Sequence, residues 1–252
     1  MIILKSPREI EIMREAGRRL ATVHRKAKEA IKPGMSSYEL DALIHQFILD
    51  EEGIPSFLGY QGFPASSCIS LNDVVIHGIP NKDQIFKAGD LVSLDLGLIY
   101  QGYHSDAART LFVGKVDEKT EKLVRITRES FFKGLEFCRD GQRLSDISHA
   151  IQKHCEANGF SVVREFTGHG IGKDLHEDPA IPNYGVPGRG PRLRSGMVLA
   201  IEPMVNEGTR EIYLEKDGWT VRTSDGHASA HYEHTVLITD GDPELLTWGD
   251  EI

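Results

Sequence analysis

The sequence predicts a duplicated α+β protein whose two halves face each other. Four helical patterns occur in two pairs, and the chain between the pairs has the apolar runs and turn residues of β-strands. A constant offset of 107 residues also relates the first half of the chain to the second. Because 252 residues suffice for one sizeable core, we expect a single domain with halves at about 1–110 and 111–252.

The helix boundaries follow from local signals. Ser6, Pro7 and Glu9 form a capping-box pattern with proline at the first helical position, and Ser36 and Glu39 repeat the box. The predicted helices run from Pro7 until Pro33, from Ser36 until Gly53, from Glu118 to about Cys138 and from Ser145 to about Asn158.

The offset of 107 relates both a helix and a strand. It maps Gly34 onto Gly141, and the apolar helix positions Leu40 and Ile44 onto Ile147 and Ile151. It also maps residues 89–95, a Gly turn and an apolar strand ending in Asp95, onto residues 196–202, which end in Glu202. Asp95 and Glu202 would then be symmetry mates. Two unrelated helix-and-strand units remain the alternative interpretation.

Composition excludes several classes of protein. Twenty-nine Lys and Arg against 38 Asp and Glu give a net charge of -9, which argues against nucleic acid and anionic membranes as partners. The three cysteines form no Cys-x-x-Cys pair, which favours a reducing compartment over a disulfide framework. With no signal-peptide pattern and no membrane span, we expect a cytoplasmic protein.

Carboxylates in apolar strands are the strongest chemical signal. Asp95 lies in such a strand. A hairpin that turns near residues 100–102, in the register whose paired residue numbers sum to 201, would place Asp95 directly opposite Asp106. Glu202 and Glu233 lie in similar strand contexts. Buried carboxylates repel one another unless a metal ion or a proton lies between them. The four acidic residues therefore predict more than one divalent ion.

One histidine completes the predicted ligand set. His169 has glycine on both sides, so it is open to close approach by a ligand or by backbone. The same glycines resemble a dinucleotide loop, but a proline-rich segment follows instead of a helix. Four carboxylates and a neutral imidazole carry a charge of about -4, which two divalent ions balance, and oxygen-rich coordination suits manganese, iron, cobalt or zinc. Two such ions can activate water for hydrolysis.

The other histidines carry weaker signals. Four lie on helical patterns and are expected at the surface or at the edge of the core, namely His24, His45, His149 and His154. Four more remain undecided from the sequence alone, namely His104, His227, His231 and His234.

The chain resembles the type I methionine aminopeptidases, which have the pita-bread fold. The resemblance rests on Asp95, Asp106, His169, Glu202 and Glu233, which match that family's metal ligands in order and context, and on residues 75–80, 167–172 and 196–203. It covers nearly the whole chain. It implies a curved antiparallel β-sheet covered by two pairs of helices that a pseudo-twofold axis relates.

The resemblance also implies residue roles. Glu202 would be both a metal ligand and the general base, and His77 and His176 would bind the peptide beside the scissile bond. Leu175 stands where many relatives carry Phe. The positions that match the family's methionine pocket are Phe57, Tyr60, Phe63, Cys68, His77, Leu175, His176 and Trp219. The positions that match its monovalent-cation site are Asn72, Val74 and Ser229.

The implied activity is metal-dependent removal of amino-terminal Met from nascent proteins and peptides whose second residue is small. The implied partners are such peptide substrates and, in addition, the ribosome, and we expect a monomer. Two alternatives remain: a proline-directed peptidase resembling prolidase or aminopeptidase P, and a non-catalytic binding protein on the same fold. Intact ligands argue against the second alternative, and the lack of a further amino-terminal domain argues against the first.

Overall fold

Four α-helices and fifteen β-strands form within residues 1–249, the part of the chain that the computed structural model describes. The helices are α1 (Pro7–Ala30), α2 (Ser37–Asp50), α3 (Glu118–Leu135) and α4 (Leu144–Ala157). The strands of the first half are β1 (Ile54–Pro55), β2 (Ser67–Leu71), β3 (Val74–Ile76), β4 (Leu91–Tyr100) and β5 (Tyr103–Phe112). Those of the second half are β6 (Ser161–Val162), β7 (Thr167–Gly170), β8 (Glu177–Pro182), β9 (Val198–Ile201), β10 (Met204–Asn206), β11 (Ile212–Leu214), β12 (Val221–Thr223), β13 (Ser229–His231), β14 (His234–Leu237) and β15 (Glu244–Leu245).

The predicted helix starts are confirmed by their hydrogen bonds. The Ser6 hydroxyl accepts from the backbone N–H of Glu9, and the Glu9 carboxylate accepts from the N–H of Ser6. Ser36 and Glu39 form the same reciprocal pair at the start of α2. Each box satisfies backbone N–H groups that the first helical turn leaves without a partner, and losing such a cap typically costs about 1 kcal/mol.

The two halves correspond at the predicted offset of 107. Both ends of α2 map onto the ends of α4 at this offset. Gly34 and Gly141 adopt the same left-handed conformation, with φ of 87° and 85°, which a residue with a side chain would rarely adopt. Isolated bridges pair residue 36 with 85 in the first half and 143 with 192 in the second. The duplication predicted from sequence is therefore a feature of the backbone.

Two antiparallel sheets carry the site. In the first, β4 pairs with β5 along one edge and with β1 and β2 along the other. In the second, the order is β15-β14-β9-β7-β8. The sheets meet where the backbone groups of Ala108 and Glu233 exchange hydrogen bonds. Helices α1 and α2 pack on the first sheet, and α3 and α4 cover the second half, with apolar clusters beneath both pairs.

The predicted register of the β4–β5 hairpin was wrong by two residues. Asp95 lies opposite Ala108, and Asp106 lies opposite Gly97, because the turn consists of only Gln101 and Gly102. Both turn residues have positive φ, 47° and 81°, as a tight two-residue hairpin requires. Because side chains alternate with a period of two, a shift of two residues keeps both carboxylates on the same face.

Some side chains lie deeper than expected. His24, expected at the surface or the edge of the core, is only 2% exposed, and its Nε2 lies 2.8 Å from the carbonyl oxygen of Ala107.

The three cysteines are free and buried, in agreement with the expectation of no disulfide framework. No helix within residues 1–249 is both long and apolar enough to cross a membrane.

Candidate active site

A pocket with a cavity volume of about 200 Å³ opens where the two sheets meet. Its wall contains all five predicted metal ligands and every residue predicted for the methionine pocket. These residues are Asp95, Asp106, His169, Glu202 and Glu233, together with Phe57, Tyr60, Phe63, Cys68, His77, Leu175, His176 and Trp219. One cavity is therefore lined by both the predicted metal ligands and an aromatic wall.

Both halves of the fold supply the acidic residues. Asp95 and Asp106 lie on β4 and β5, whereas Glu202 directly follows β9 and Glu233 directly precedes β14. His169 lies on β7, where it pairs with Ala200 of β9. Its Nε2 is 3.6 Å from Oε1 of Glu202 and 3.8 Å from Oδ2 of Asp106. Ligand atoms of Asp106, His169 and Glu233 all lie within 4.8 Å of one another.

Asp106 and Glu233 are buried, Asp95 and Glu202 are half-buried, and several of their carboxylate oxygens have no hydrogen-bond partner within residues 1–249. Burial raises the pKa of Asp95 to about 7 and that of Glu202 to about 8, and it raises the pKa values of Asp106 and Glu233 well above their usual range. One oxygen each of Asp95, Asp106 and Glu233 is buried without a hydrogen-bond partner among the described residues. Such a set of unpartnered oxygens fits divalent cations, which supply the missing positive charge.

The tautomer of His169 suits a metal ligand. Its Nδ1 lies 2.9 Å from the carbonyl oxygen of Gly170, so Nδ1 carries the proton and donates a hydrogen bond to that oxygen. Nε2 then keeps its lone pair, and this atom faces Asp106 and Glu202. Burial lowers the pKa of His169 to about 3, which keeps the ring neutral at physiological pH.

The glycines beside His169 allow close approach of backbone. A Cβ on Gly168 would meet the carbonyl oxygen of Ala200, and one on Gly170 would meet that of Asp178. The open position predicted from sequence is therefore filled by neighbouring strands, which hold the imidazole in place. Behind Glu202, the amide of Asn183 donates to its backbone carbonyl at 2.9 Å.

Aromatic rings form the rest of the wall. Phe63 and Trp219 pack edge to face, with ring centroids 5.1 Å apart, and His77 contacts Trp219 in the same manner at 6.2 Å. Gly97 leaves the space that the ring of Phe57 occupies, since a Cβ there would collide with it. Burial lowers the pKa of His77 to about 4, so this side chain is a neutral hydrogen-bonding group.

Sequence reasoning missed several residues that the structure brings to the site. Gln61, Ile76, Phe166 and Thr167 also line the pocket. Phe166 and Thr167 directly precede the Gly-His-Gly segment. Their position beside a predicted metal ligand could have identified them as pocket residues. His231, undecided from the sequence, is buried with its Nε2 3.5 Å from Oε2 of Glu202.

The residues predicted for a monovalent cation lie outside the pocket lining. Asn72 and Ser229 are neighbours, since the backbone N–H of Ser229 donates to the carbonyl oxygen of Asn72 at 2.9 Å. Val74 starts the adjacent strand β3. The cation site itself stays a prediction.

Comparison with known proteins identifies the family. Residues 11–240 match the profile of Metallopeptidase family M24. The chain belongs to this family. It is 56% identical over 247 residues to a methionine aminopeptidase of Clostridium perfringens, covering 98% of this chain and 99% of that relative. Family M24 consists of metallopeptidases, so this chain uses divalent metal.

Solved structures agree with this membership and with the pita-bread fold. The methionine aminopeptidase of Thermotoga maritima superposes with a TM-score of 0.97 at 46% identity, covering 99% of this chain and 100% of that one. A prolidase from Pyrococcus furiosus superposes with a TM-score of 0.79 at 26% identity, where 99% of this chain matches 66% of the prolidase. The chain is therefore more similar to this methionine aminopeptidase than to this prolidase, and it matches the whole length of the former but only part of the latter.

Proposed function

We propose that this protein is a metal-dependent aminopeptidase that hydrolyses the bond after an amino-terminal methionine when the second residue is small. The observation that carries the proposal is the single pocket in which four carboxylates, those of Asp106 and Glu233 buried, and His169 adjoin an aromatic wall. Full-length similarity to methionine aminopeptidases supports the same activity.

The metal ligands in this proposal are Asp95, Asp106, His169, Glu202 and Glu233. Their combined charge of about -4 matches two divalent ions, drawn from cobalt, manganese, iron or zinc. When bound, such ions lower the pKa of water and polarise the substrate carbonyl. Metal also removes the repulsion among carboxylates whose oxygens otherwise lack partners.

The side chains around the ions handle the protons and the substrate backbone. Glu202 takes a proton from the attacking water and delivers it to the departing amine. His176 donates a hydrogen bond to the scissile carbonyl as negative charge develops on its oxygen. His77, which burial keeps neutral, also lines the pocket and holds the substrate backbone.

The aromatic wall selects the methionine side chain. A flexible thioether packs well on aromatic and sulfur surfaces, and here Phe57, Phe63 and Trp219 line the same pocket as Cys68. Leu175 is 3% exposed and joins the same apolar cluster, so it closes the wall with an aliphatic surface. We infer that the wall remains continuous although Leu is smaller than the Phe found in many relatives.

Further parts of the proposal concern the setting of the enzyme. We infer one catalytic domain acting as a monomer on nascent chains, with the ribosome as a further partner and a monovalent cation near Asn72, Val74 and Ser229. A cytoplasmic location fits the three cysteines, all of which are free thiols.

Substrate choice separates this function from that of a proline-directed peptidase. The purified protein, loaded with metal, is assayed on Met-Gly-Met and on X-Pro dipeptides under the same conditions. We expect release of Met from the first substrate and no cleavage of the second. Cleavage of X-Pro substrates without release of Met would overturn the proposal, and a protein inert on both would favour a binding role.

A further inference from the structure

His231 is a buried histidine to which the proposed reaction assigns no role. It ends strand β13, two residues before Glu233, and is only 2% exposed. Its Nε2 is buried and has no hydrogen-bond partner among residues 1–249. Leaving a buried polar atom without a partner typically costs about 1–3 kcal/mol, so a specific role for this atom is expected.

The carboxylate of Glu202 lies close to this nitrogen. Nε2 of His231 lies 3.5 Å from Oε2 of Glu202, while Nε2 of His169 lies 3.6 Å from Oε1. Two imidazoles therefore flank Glu202, one beside each of its oxygens. Pairing of β13 with β10 sets this arrangement, because Met204, two residues after Glu202, lies directly opposite His231.

The backbone of His231 is fixed from the other half of the fold. Its N–H donates to Oγ1 of Thr110 at 2.9 Å, and its carbonyl oxygen accepts from the same hydroxyl at 2.8 Å. Thr110 lies on β5, the strand that carries Asp106. The position of the imidazole is therefore tied to the strand that supplies another predicted ligand.

Hydrogen-bond chemistry determines the direction of the contact. An ionised carboxylate only accepts hydrogen bonds, and a neutral imidazole has one N–H to donate. The tautomer with its proton on Nε2 is therefore the one that fits Oε2 of Glu202. The present 3.5 Å separation is long for a hydrogen bond, but contacts of this kind commonly shorten when ligands bind.

We propose that His231 is a positioning residue that donates its Nε2–H to Oε2 of Glu202. The bond fixes the rotation of the carboxylate and leaves the oxygen beside His169 available for metal and for proton transfer. Partners of this type orient ligating carboxylates and raise metal affinity without touching the metal. The inference rests on the proposed function for the role of Glu202, but its effect on metal affinity is measurable without any substrate.

Two substitutions separate the hydrogen bond from the volume of the ring. His231→Gln keeps an N–H donor of similar reach, whereas His231→Leu fills similar space without a donor. We expect His231→Leu to weaken metal binding to the metal-stripped protein about 10- to 100-fold by calorimetry. We also expect kcat on Met-Gly-Met to fall by about the same factor with KM nearly unchanged. His231→Gln should restore both quantities to near the wild-type values.

A second buried histidine provides the control. His24 has the same 2% exposure, but its Nε2 faces the carbonyl oxygen of Ala107. His24→Leu should lower the melting temperature and leave metal affinity at the wild-type value. An equal loss of metal affinity in His24→Leu would mean that the effect is general to buried histidines, and the proposal would fail.

Three further results would overturn the role of His231. The first is a His231→Leu protein with wild-type metal affinity and kcat. The second is equal impairment of the His231→Gln and His231→Leu variants. The third is a His231→Leu protein that binds one metal ion fewer than the wild type, which would make His231 a ligand. If wild-type protein releases no Met, the proposed function fails. The calorimetric comparison still decides the role of His231 in that case.

Discussion

The hydroxyl oxygen of Tyr60 lies 2.8 Å from Nδ1 of His176. When the hydroxyl donates to Nδ1, the imidazole carries its own proton on Nε2, which is the tautomer able to donate to a substrate carbonyl. The two rings also pack together, with centroids 5.3 Å apart. Tyr60 therefore belongs to the pocket wall and also sets the donor atom of His176.

Removing the Tyr60 hydroxyl tests this relationship. Tyr60→Phe keeps the ring in the wall but no longer fixes the tautomer, so we expect kcat to fall about 3- to 10-fold with little change in KM. Steady-state kinetics on Met-Gly-Met provide the measurement. The control is Tyr103→Phe, which removes a hydroxyl that donates to Glu9 at 2.8 Å. Equal kcat values in Tyr60→Phe and wild type would contradict the assignment.

His169 and His176 lie close together, with ring centroids 4.3 Å apart, yet their loss should have different effects. His169→Ala removes a proposed ligand, so metal affinity and rate should fall together. His176→Ala should keep both metals while kcat falls roughly 10²- to 10³-fold. Metal content of the purified and reloaded variants distinguishes the two. A His176→Ala protein that loses metal, beside a His169→Ala protein that keeps it, would reverse the assignment.

Charge balance predicts the effect of neutralising one carboxylate. Asp106→Asn and Glu233→Gln each remove one negative charge from a set that two divalent ions balance, so each should weaken occupancy of at least one site. Calorimetric titration of the metal-stripped variants gives both affinity and stoichiometry. Glu207→Gln, which alters a carboxylate paired with Lys119, is the matched control. Wild-type affinity in both site variants would disprove the charge argument.

The metal-stripped protein should lose stability as pH rises from 7 to about 8.5. Glu202 has a folded pKa of about 8 against a usual value of 4.5, so over this range the folded state binds more protons than the unfolded state. The free energy of unfolding then decreases with increasing pH. The buried histidines oppose this trend only near pH 7, because in the unfolded state a histidine with a pKa near 6.5 is about a quarter protonated there and is largely neutral by pH 8.

Urea unfolding in the presence of a chelator, at several pH values, measures this slope. Glu202→Gln has no group that titrates at this position, so its slope should be smaller than that of the wild type. Identical slopes for the two metal-stripped proteins would show that the carboxylate of Glu202 is not responsible.

Local rules made much of the fold predictable. The Ser–Glu boxes at residues 6–9 and 36–39 set helix starts from neighbours in the chain, and the structure confirms both. The alternation of side chains across the hairpin placed Asp95 and Asp106 on one face even though the register was wrong. The turn length decided that register, and the positive φ of Gln101 was not evident from its residue type.

Long-range pairing explains what the sequence did not indicate. His231 reaches Glu202 only because β13 pairs with β10 and places it opposite Met204. His24 lies on an ordinary amphipathic helix, and only the packing of α1 on the first sheet buries it against Ala107. Neither contact leaves a trace in local periodicity, because each depends on residues distant in the chain.

A requirement for metal is the property on which the proposed activity depends most directly. The protein is chelated until its metal content is negligible, assayed for release of Met from Met-Gly-Met, and then titrated with a divalent ion while activity and bound metal are followed together. We predict no turnover in the stripped protein and recovery of activity as metal rebinds. Full turnover in a sample verified to be free of metal would contradict the central claim.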